Sequence, residues 1–478
     1  MYDLVVLGGG TAGLTAAVGA AQQGARTLLV ERDRTGGDCL WTGCVPSKAL
    51  LTAAERAHAV QTAASFGVHT GDLTVDFAAV MAHVKQAIAA IAPHDSPQRL
   101  RDQGVEVIHG TGRFIGADRM QIDGRVVRFR HAMIATGASP LLPPIPGLRE
   151  ANPLTSDTLW DLTKLPSRLV VLGGGPIGVE LGQAFARLGS QVTVVEQADG
   201  LLPREEPEVG ALIAASLVAD GVSVRVGTTA VRVEQSDDGP RLVVEHDGHE
   251  QMLLFDELLV ALGRRPDVAA LGLDEAGVKL DKRGAVAVDG RLRTSNPRIY
   301  AGGDVTMLLP FTHTASTHGA TVVQNALFGL RRVVDHERIP WVTFTAPEVA
   351  RVGLSVAEAR ERFGVRTRVQ SASHGQLDRA VVSGETGGFA LLVGDPKGRI
   401  VGATVVGPRA GETIGEVVAW MANGAKLASI VRFTHAYPTW NEDLTAASLK
   451  DLQVSLARLR PLTRVLLWLR RGVFIWRR

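Results

Sequence analysis

The sequence predicts an α/β fold with two parallel-sheet βαβ units and a smaller C-terminal α+β domain, on three observations. Leu4–Gly10 reads LVVLGGG, and Leu169–Gly175 reads LVVLGGG again. Each copy marks the point where an apolar run gives way to a small-residue helical pattern, which is the alternation of a βαβ unit. The 53 glycines and only 5% aromatic residues suit tight βα turns better than an all-β sandwich. A length of 478 residues, at roughly 100–200 residues per domain, allows about three domains.

The first unit opens with a strand from Leu4, turns through Gly8, Gly10 and Gly13, and continues as a helix to a second strand, RTLLVER, ending at Glu31. Leu4–Ala25 carries no charge, but its interrupting glycines and glutamines argue against a membrane span or a signal segment. The second unit repeats the pattern with Gly173, Gly175 and Gly178 and closes its second strand, QVTVVEQ, at Glu196. In both copies the acid follows the last glycine by 18 residues. The first glycine makes the turn, the second lets a pyrophosphate approach the backbone, and the third lets helix and strand pack closely. The phosphate then faces unpaired N–H groups at a helix N-terminus, and the acid accepts hydrogen bonds from a ribose. Two Rossmann-like domains, hence two dinucleotides, follow.

Further along, the Pro-rich run Pro140–Pro146 separates the units, Gly263-Arg-Arg-Pro266 ends the second, and Arg298–Asp304 (RIYAGGD) is a strand running into a glycine turn and an acid. From about Ile339, alternating strands and a helix around Glu412 to Asn423 read as the α+β domain. The resulting division is 1–145 and 267–336 for the first dinucleotide, 146–266 for the second, 337–452 for the C-terminal domain and 453–478 for a tail.

Lys+Arg 51 against Asp+Glu 49 gives no charge excess that would recruit nucleic acid. The two cysteines, Cys39 and Cys44, exclude a disulfide framework and a four-cysteine zinc site, and no metal site is expected. By count alone they read as reduced thiols of a cytoplasmic protein. Beside two dinucleotides, a CxxxxC suggests an electron path from nicotinamide through flavin to a disulfide.

Gly36–Leu50, GGDCLWTGCVPSKAL, resembles the redox-active signature of the class I flavoprotein disulfide reductases, which include dihydrolipoamide dehydrogenase, glutathione reductase and mercuric reductase. Both fingerprints, Ala135-Thr136-Gly137, Ala301–Asp304 and a C-terminal Tyr-Pro-Thr occur in the family's order across almost the whole chain. The resemblance implies FAD on the first unit, with contacts from Gly37, Gly112 on the adenine side, Ala135, Thr136, Gly137 and Asp304 on the ribityl chain. It implies a nicotinamide on the second unit, with Gly263 nearby. It also makes the last domain a dimerisation domain, completing the active site of the partner in a homodimer. By the same resemblance Cys44 faces the flavin, Cys39 is the outer sulfur that attacks substrate, and Lys48 lies beside flavin N5 paired with Glu180. Physically, Cys44 just before a helix expected over Pro46–Val60 sits where the dipole favours a thiolate. Glu196, followed by Gln197, Ala198 and Asp199 where NADP-dependent relatives carry Arg, favours NADH over NADPH, although a loop could bring in Arg204.

The sequence departs from the thiol-reducing members at FTHAYPTWNE, where Tyr437 replaces the histidine base that pairs with an acid matching Glu442. A phenol with a reference pKa near ~10 is a poor base at pH 7. His435, two residues earlier, would lie on the same side of an extended segment, either substituting as base or packing at the dimer interface. Tyr at this position resembles mercuric reductases, but no cysteine follows Cys44 to deliver Hg(II). After Asp451 there is no acid, and seven Arg alternate with Leu466, Leu467, Trp468, Leu469, Phe474, Ile475 and Trp476. Such a tail can lie on an anionic membrane or cover a dimer partner. The reading is a cytoplasmic or membrane-peripheral enzyme passing electrons from NADH through FAD to Cys39–Cys44 and on to a small-molecule acceptor. Its alternatives are a quinone or diaphorase-type reductase discharging from the flavin, a mercuric-ion or dihydrolipoamide reductase, and a slow redox-responsive docking protein.

Overall fold

The computed structural model describes residues 1–475, and side chains through residue 471. They form two compact units, Met1–Leu202 with Leu217–His336, and Pro203–Ser216 with residues from Glu337 onward.

In the first unit both LVVL runs become inner strands of parallel sheets. Tyr2–Leu7 pairs in parallel with Thr27–Glu31 and Arg125–Ile134, Leu4 lying opposite Thr27 and His131. Val105–His109 extends the sheet on one side, and Ile299–Ala301 pairs in parallel with Arg125–Ile134. Arg168–Leu172 in turn lies between Gln191–Val195 and Glu257–Val260, again all parallel. Leu4, Val5, Val6, Val170, Val171 and Leu172 are buried. Continuous apolar runs are what strands covered on both faces require, and each such side chain contributes about 1.5–3 kcal/mol. The helices Thr11–Gln22 and Pro176–Leu188 follow the two strands directly. The chain crosses between the sheets twice, where Ala138–Pro140 pairs antiparallel with Arg264–Pro266, so the Pro-rich run starts at the exit point.

The second unit is built on a five-stranded antiparallel sheet in the order Trp341–Thr343, Glu348–Gly353, Ile400–Gly407, Phe389–Gly394, Arg368–Ser373. The helix Ala410–Ala422 buries Ile414, Val417 and Trp420 against it. The tail expected from residue 453 is instead the outer part of one helix, Glu442–Ile475. Glu442 and Asp443 occupy its first turn, where negative charge complements the dipole, and Ala, Leu and Arg residues carry it onward past an interior proline, Pro461.

Candidate active site

The turn after the first βαβ unit sets the redox pair. Gly36 and Gly37 take φ of 107° and 59°, which lets the chain reverse into the short helix Gly37–Trp41. Cys39 therefore lies in a helical turn. The next helix is Cys44–Thr62, beginning ahead of the expected Pro46. Pro46 is accommodated because first-turn N–H groups have no intrahelical partner. Two indoles pin the segment: Trp41 Nε1 donates to Thr35 O at 2.8 Å, and Trp160 Nε1 donates to Thr42 O at 2.8 Å.

Both cysteines are free thiols here. The Cys39 thiol hydrogen-bonds Cys44, and Thr312 Oγ1 lies 3.2 Å from Cys44 Sγ. The bond from Cys39, then Thr312 and the Lys48 charge, bring the Cys44 thiol down to about 6 against burial, which raises it. Cys39 is pushed up by the same bond and by burial. One proton is thus held on Cys39 while Cys44 carries the charge.

Lys48, one turn after Cys44, places Nζ 2.9 Å from Glu180 Oε2. Glu180 is buried on the helix of the second βαβ unit, so the pair bridges the two repeats. Replacing Lys48 by Met removes the cation beside a buried carboxylate. With Lys48 side chain 37% exposed, solvent screening limits the expected cost to about 1–2 kcal/mol, readable as a thermal midpoint lower by about 1–3 °C.

Two contacts here escaped the sequence reading. Arg264 pairs with Asp38, next to Cys39, and lies 3.8 Å from Asp157, while its buried Nε has no partner among the described residues. His318, fully buried, accepts from Gly303 N at 3.1 Å through Nδ1 and meets His336 Nε2 at 3.0 Å. Burial, then His336, takes His318 down to about 4, so it stays neutral and fixes the Gly303–Asp304 turn. Burial raises Asp304, with Arg264 opposing.

The two glycine-rich turns are near copies. Gly8 and Gly173 have φ of 109° and 111°. A Cβ on Gly13 or Gly178 would stand 1.9 Å from the carbonyl oxygen of Gly8 or Gly173. Glu31 Oε2 accepts from Gly9 N and Glu196 Oε2 from Gly174 N, each at 2.6 Å. A Cβ on Gly10 would meet only Gly37 Cα, at 3.8 Å, and one on Gly175 would meet nothing within 4 Å. These open backbone faces fit a pyrophosphate. A cavity of about 440 Å³, lined by Glu31, Arg34, Trp41 and His109 among others, adjoins the first turn and fits an adenosine end. Arg34 covers Trp41 with its guanidinium 4.3 Å from the ring centroid. Elsewhere in this unit, Gly112 opens the strand Gly112–Gly116. Ala135 follows the strand Arg125–Ile134, Thr136 Oγ1 donates to Asp267 O at 2.7 Å, and Gly137 has φ of 75°. Gly263 faces open space at φ of 109°.

The second unit holds Tyr437, His435 and Glu442, each with its own hydrogen-bond partner. The Tyr437 hydroxyl donates to Asp378 Oδ2 at 2.7 Å, and that carboxylate raises the phenol above its usual value. Glu442 Oε2 accepts from Thr439 N at 3.1 Å. His435 does not share Tyr437's side. Its ring lies 2.8 Å from Glu416 Oε1 and 2.9 Å from Thr445 Oγ1, nearly buried, whereas Tyr437 is exposed. No strand forms over residues 433–440, so extended alternation fails there. Asp378 carried no sequence signal. Arg204 lies in this unit, its carbonyl taken by Arg351 Nη1.

The family model described as pyridine nucleotide-disulphide oxidoreductase matches residues 2–319, and that of its dimerisation domain matches residues 339–448. The mercuric reductase of Streptomyces lividans is 36% identical over 454 residues, spanning 94% of this chain and 95% of that one. The dihydrolipoyl dehydrogenase of Thermus scotoductus is 37% identical over 460 residues, 94% and 96% of the two chains. The HOCl-induced flavoprotein disulfide reductase RclA from Escherichia coli matches with a TM-score of 0.81 at 30% identity, over 94% and 99% of the chains. The chain belongs to the pyridine nucleotide-disulphide oxidoreductases. It is an enzyme that uses FAD and a reduced nicotinamide, and its dimerisation domain supports a homodimer.

Proposed function

We propose that the enzyme takes two electrons from NADH and passes them to the Cys39–Cys44 pair, from which Cys39 delivers them to a small-molecule acceptor in the cytoplasm. The observation that carries this is the Cys44 sulfur at a helix start, hydrogen-bonded to Cys39 and near Thr312, one turn before the Lys48–Glu180 pair. FAD, when bound, supplies the two-electron relay between nicotinamide and sulfur. In this reading Gly8, Gly10, Gly13, Glu31 and Gly37 hold its nucleotide end, Gly112 and the Ala135–Gly137 turn line it, and Asp304 binds its ribityl chain. Gly173, Gly175, Gly178 and Glu196 hold the nicotinamide nucleotide, with Gly263 alongside. Glu196 supports NADH because a second negative charge would meet a 2′-phosphate.

Reduction breaks the S–S bond with two electrons and one proton, both from NADH. Cys39 keeps the proton and Cys44 the negative charge, which Thr312 and Lys48 stabilise. Cys39 then attacks the acceptor, and the disulfide re-forms as the acceptor is reduced. Tyr437, held as a donor by Asp378, is unsuited to stripping a proton from a dithiol, which favours an oxidised acceptor over dihydrolipoamide. Residues 45–478 hold no cysteine, so none of them forms a second pair that could deliver Hg(II) to Cys39 and Cys44.

The test is the pH dependence of the two-electron-reduced enzyme. The thiol value near 6 lies below the ~8.5 of an unfolded cysteine, so the thiolate is present above about 6. The stability it brings is complete above ~8.5 and is lost as pH falls through about 6. A long-wavelength thiolate-to-flavin absorbance should therefore fall by half near pH 6. A midpoint at or above 8.5 would contradict the thiolate assignment.

A further inference from the structure

The helix Glu442–Ile475 starts in the packed part of the second unit and continues without cover among the described residues. Leu444, Ala447 and Asp451 are buried, but from Gln453 to Arg471 every side chain except Ser455 is exposed. That is about 28 Å of helix at 1.5 Å per residue. Leu459, Leu462, Leu466 and Leu469 recur at alternating spacings of three and four and are 50%, 58%, 53% and 49% exposed, so they share one face. At 3.6 residues per turn, Arg460, Arg464 and Arg471 fall within about 40° of each other on the other side. Leu467 falls on the arginine side, and Trp468, 72% exposed, lies next to Arg464, about 100° from the nearest leucine.

We propose that this helix is an interfacial anchor that lays its leucine face into an anionic lipid surface. Charge separates this occupant from a second copy of the helix. The spacing of the leucines would also suit a paired coil, but Arg458 and Arg470 flank that seam and no acidic residue follows Asp451. Two copies would bring like charges together with nothing to pair them. On a membrane the same arginines extend their guanidinium groups to acidic headgroups while their stems lie along the apolar face. No helix among the described residues is long and apolar enough to cross a membrane, so the contact is peripheral. Phe474, Ile475 and Trp476, which the sequence adds to this face, lie outside the described side chains.

The experiment is co-sedimentation of the full-length, flavin-loaded enzyme with phosphatidylcholine vesicles and with vesicles containing about a third phosphatidylglycerol. About tenfold more protein should pellet with the anionic vesicles at low salt, and high salt should release it. The triple variant Arg460→Glu/Arg464→Glu/Arg471→Glu and the double variant Leu462→Glu/Leu466→Glu should each lose this binding while keeping diaphorase turnover. Equal binding to both vesicle types, or none to either, would overturn the proposal. So would a particle mass by light scattering that exceeds the dimer and returns to it in the leucine variant, since that would show the helix pairing with another copy.

Discussion

Replacing Cys44 by Ser is expected to abolish the long-wavelength thiolate absorbance and to lower disulfide-dependent turnover by about 10³-fold or more, with NADH still bleaching the flavin. The hydroxyl is nearly isosteric and keeps the approach to Thr312 Oγ1, which lies 3.2 Å from the sulfur, so the loss would come from chemistry and not from packing. A serine cannot ionise near neutrality, and the remaining Cys39, whose own thiol is pushed up, has no partner with which to store two electrons. Cys39→Ser separates the roles further. It should retain the Cys44 absorbance, because a serine hydroxyl can donate to the Cys44 sulfur in place of the Cys39 thiol, and it should lose turnover. Anaerobic spectra and steady-state rates on the two variants check both statements. Full turnover in Cys44→Ser would mean that electrons leave directly from the flavin.

The second large effect is expected from the third glycine of each fingerprint. An added methyl at Gly13 or Gly178 would sit 1.9 Å from a backbone oxygen, a contact that forces helix and strand apart at a cost of about 1–3 kcal/mol or more. Because the two turns serve different nucleotides in our reading, the equal clashes have different readouts. Gly13→Ala should purify with little flavin, while Gly178→Ala should keep its flavin but require at least about tenfold more NADH for half-maximal reduction. Flavin content by absorbance and a stopped-flow NADH series measure each. If Gly178→Ala lost the flavin and Gly13→Ala kept it, the nucleotide assignments would be reversed.

The parts of the site that are local in sequence were legible from it. The spacing from Gly8 to Glu31, and again from Gly173 to Glu196, is a single supersecondary unit, so the residue types and their contacts follow from one another. The Cys39 and Cys44 segment is equally compact, although the helical turn around Cys39 depends on the successive positive φ values of Gly36 and Gly37, which the pattern does not announce. What the sequence could not show are contacts made across the fold. Thr312 reaches Cys44 only after Thr312–Phe328 has been placed by the sheet. Arg264 meets Asp38 because the chain returns to pair Arg264–Pro266 with Ala138–Pro140, and His318 reads as an unremarkable helical residue until Gly303 folds onto it. His435 and Tyr437 fail for a different reason. Side-chain alternation holds only in a strand, and hydrogen bonds to Glu416 and Asp378, 19 and 59 residues away along the chain, decide where each ring goes.

Electrons from NADH are expected to reach the Cys39–Cys44 pair and to leave Cys44 as a thiolate beside the flavin. An anaerobic titration of the purified enzyme with NADH, with NADPH in parallel and the flavin spectrum followed at each step, tests it most directly. A long-wavelength charge-transfer band that is maximal at two electrons per flavin, and that needs less NADH than NADPH, is expected. Direct bleaching of the flavin without that band would contradict it.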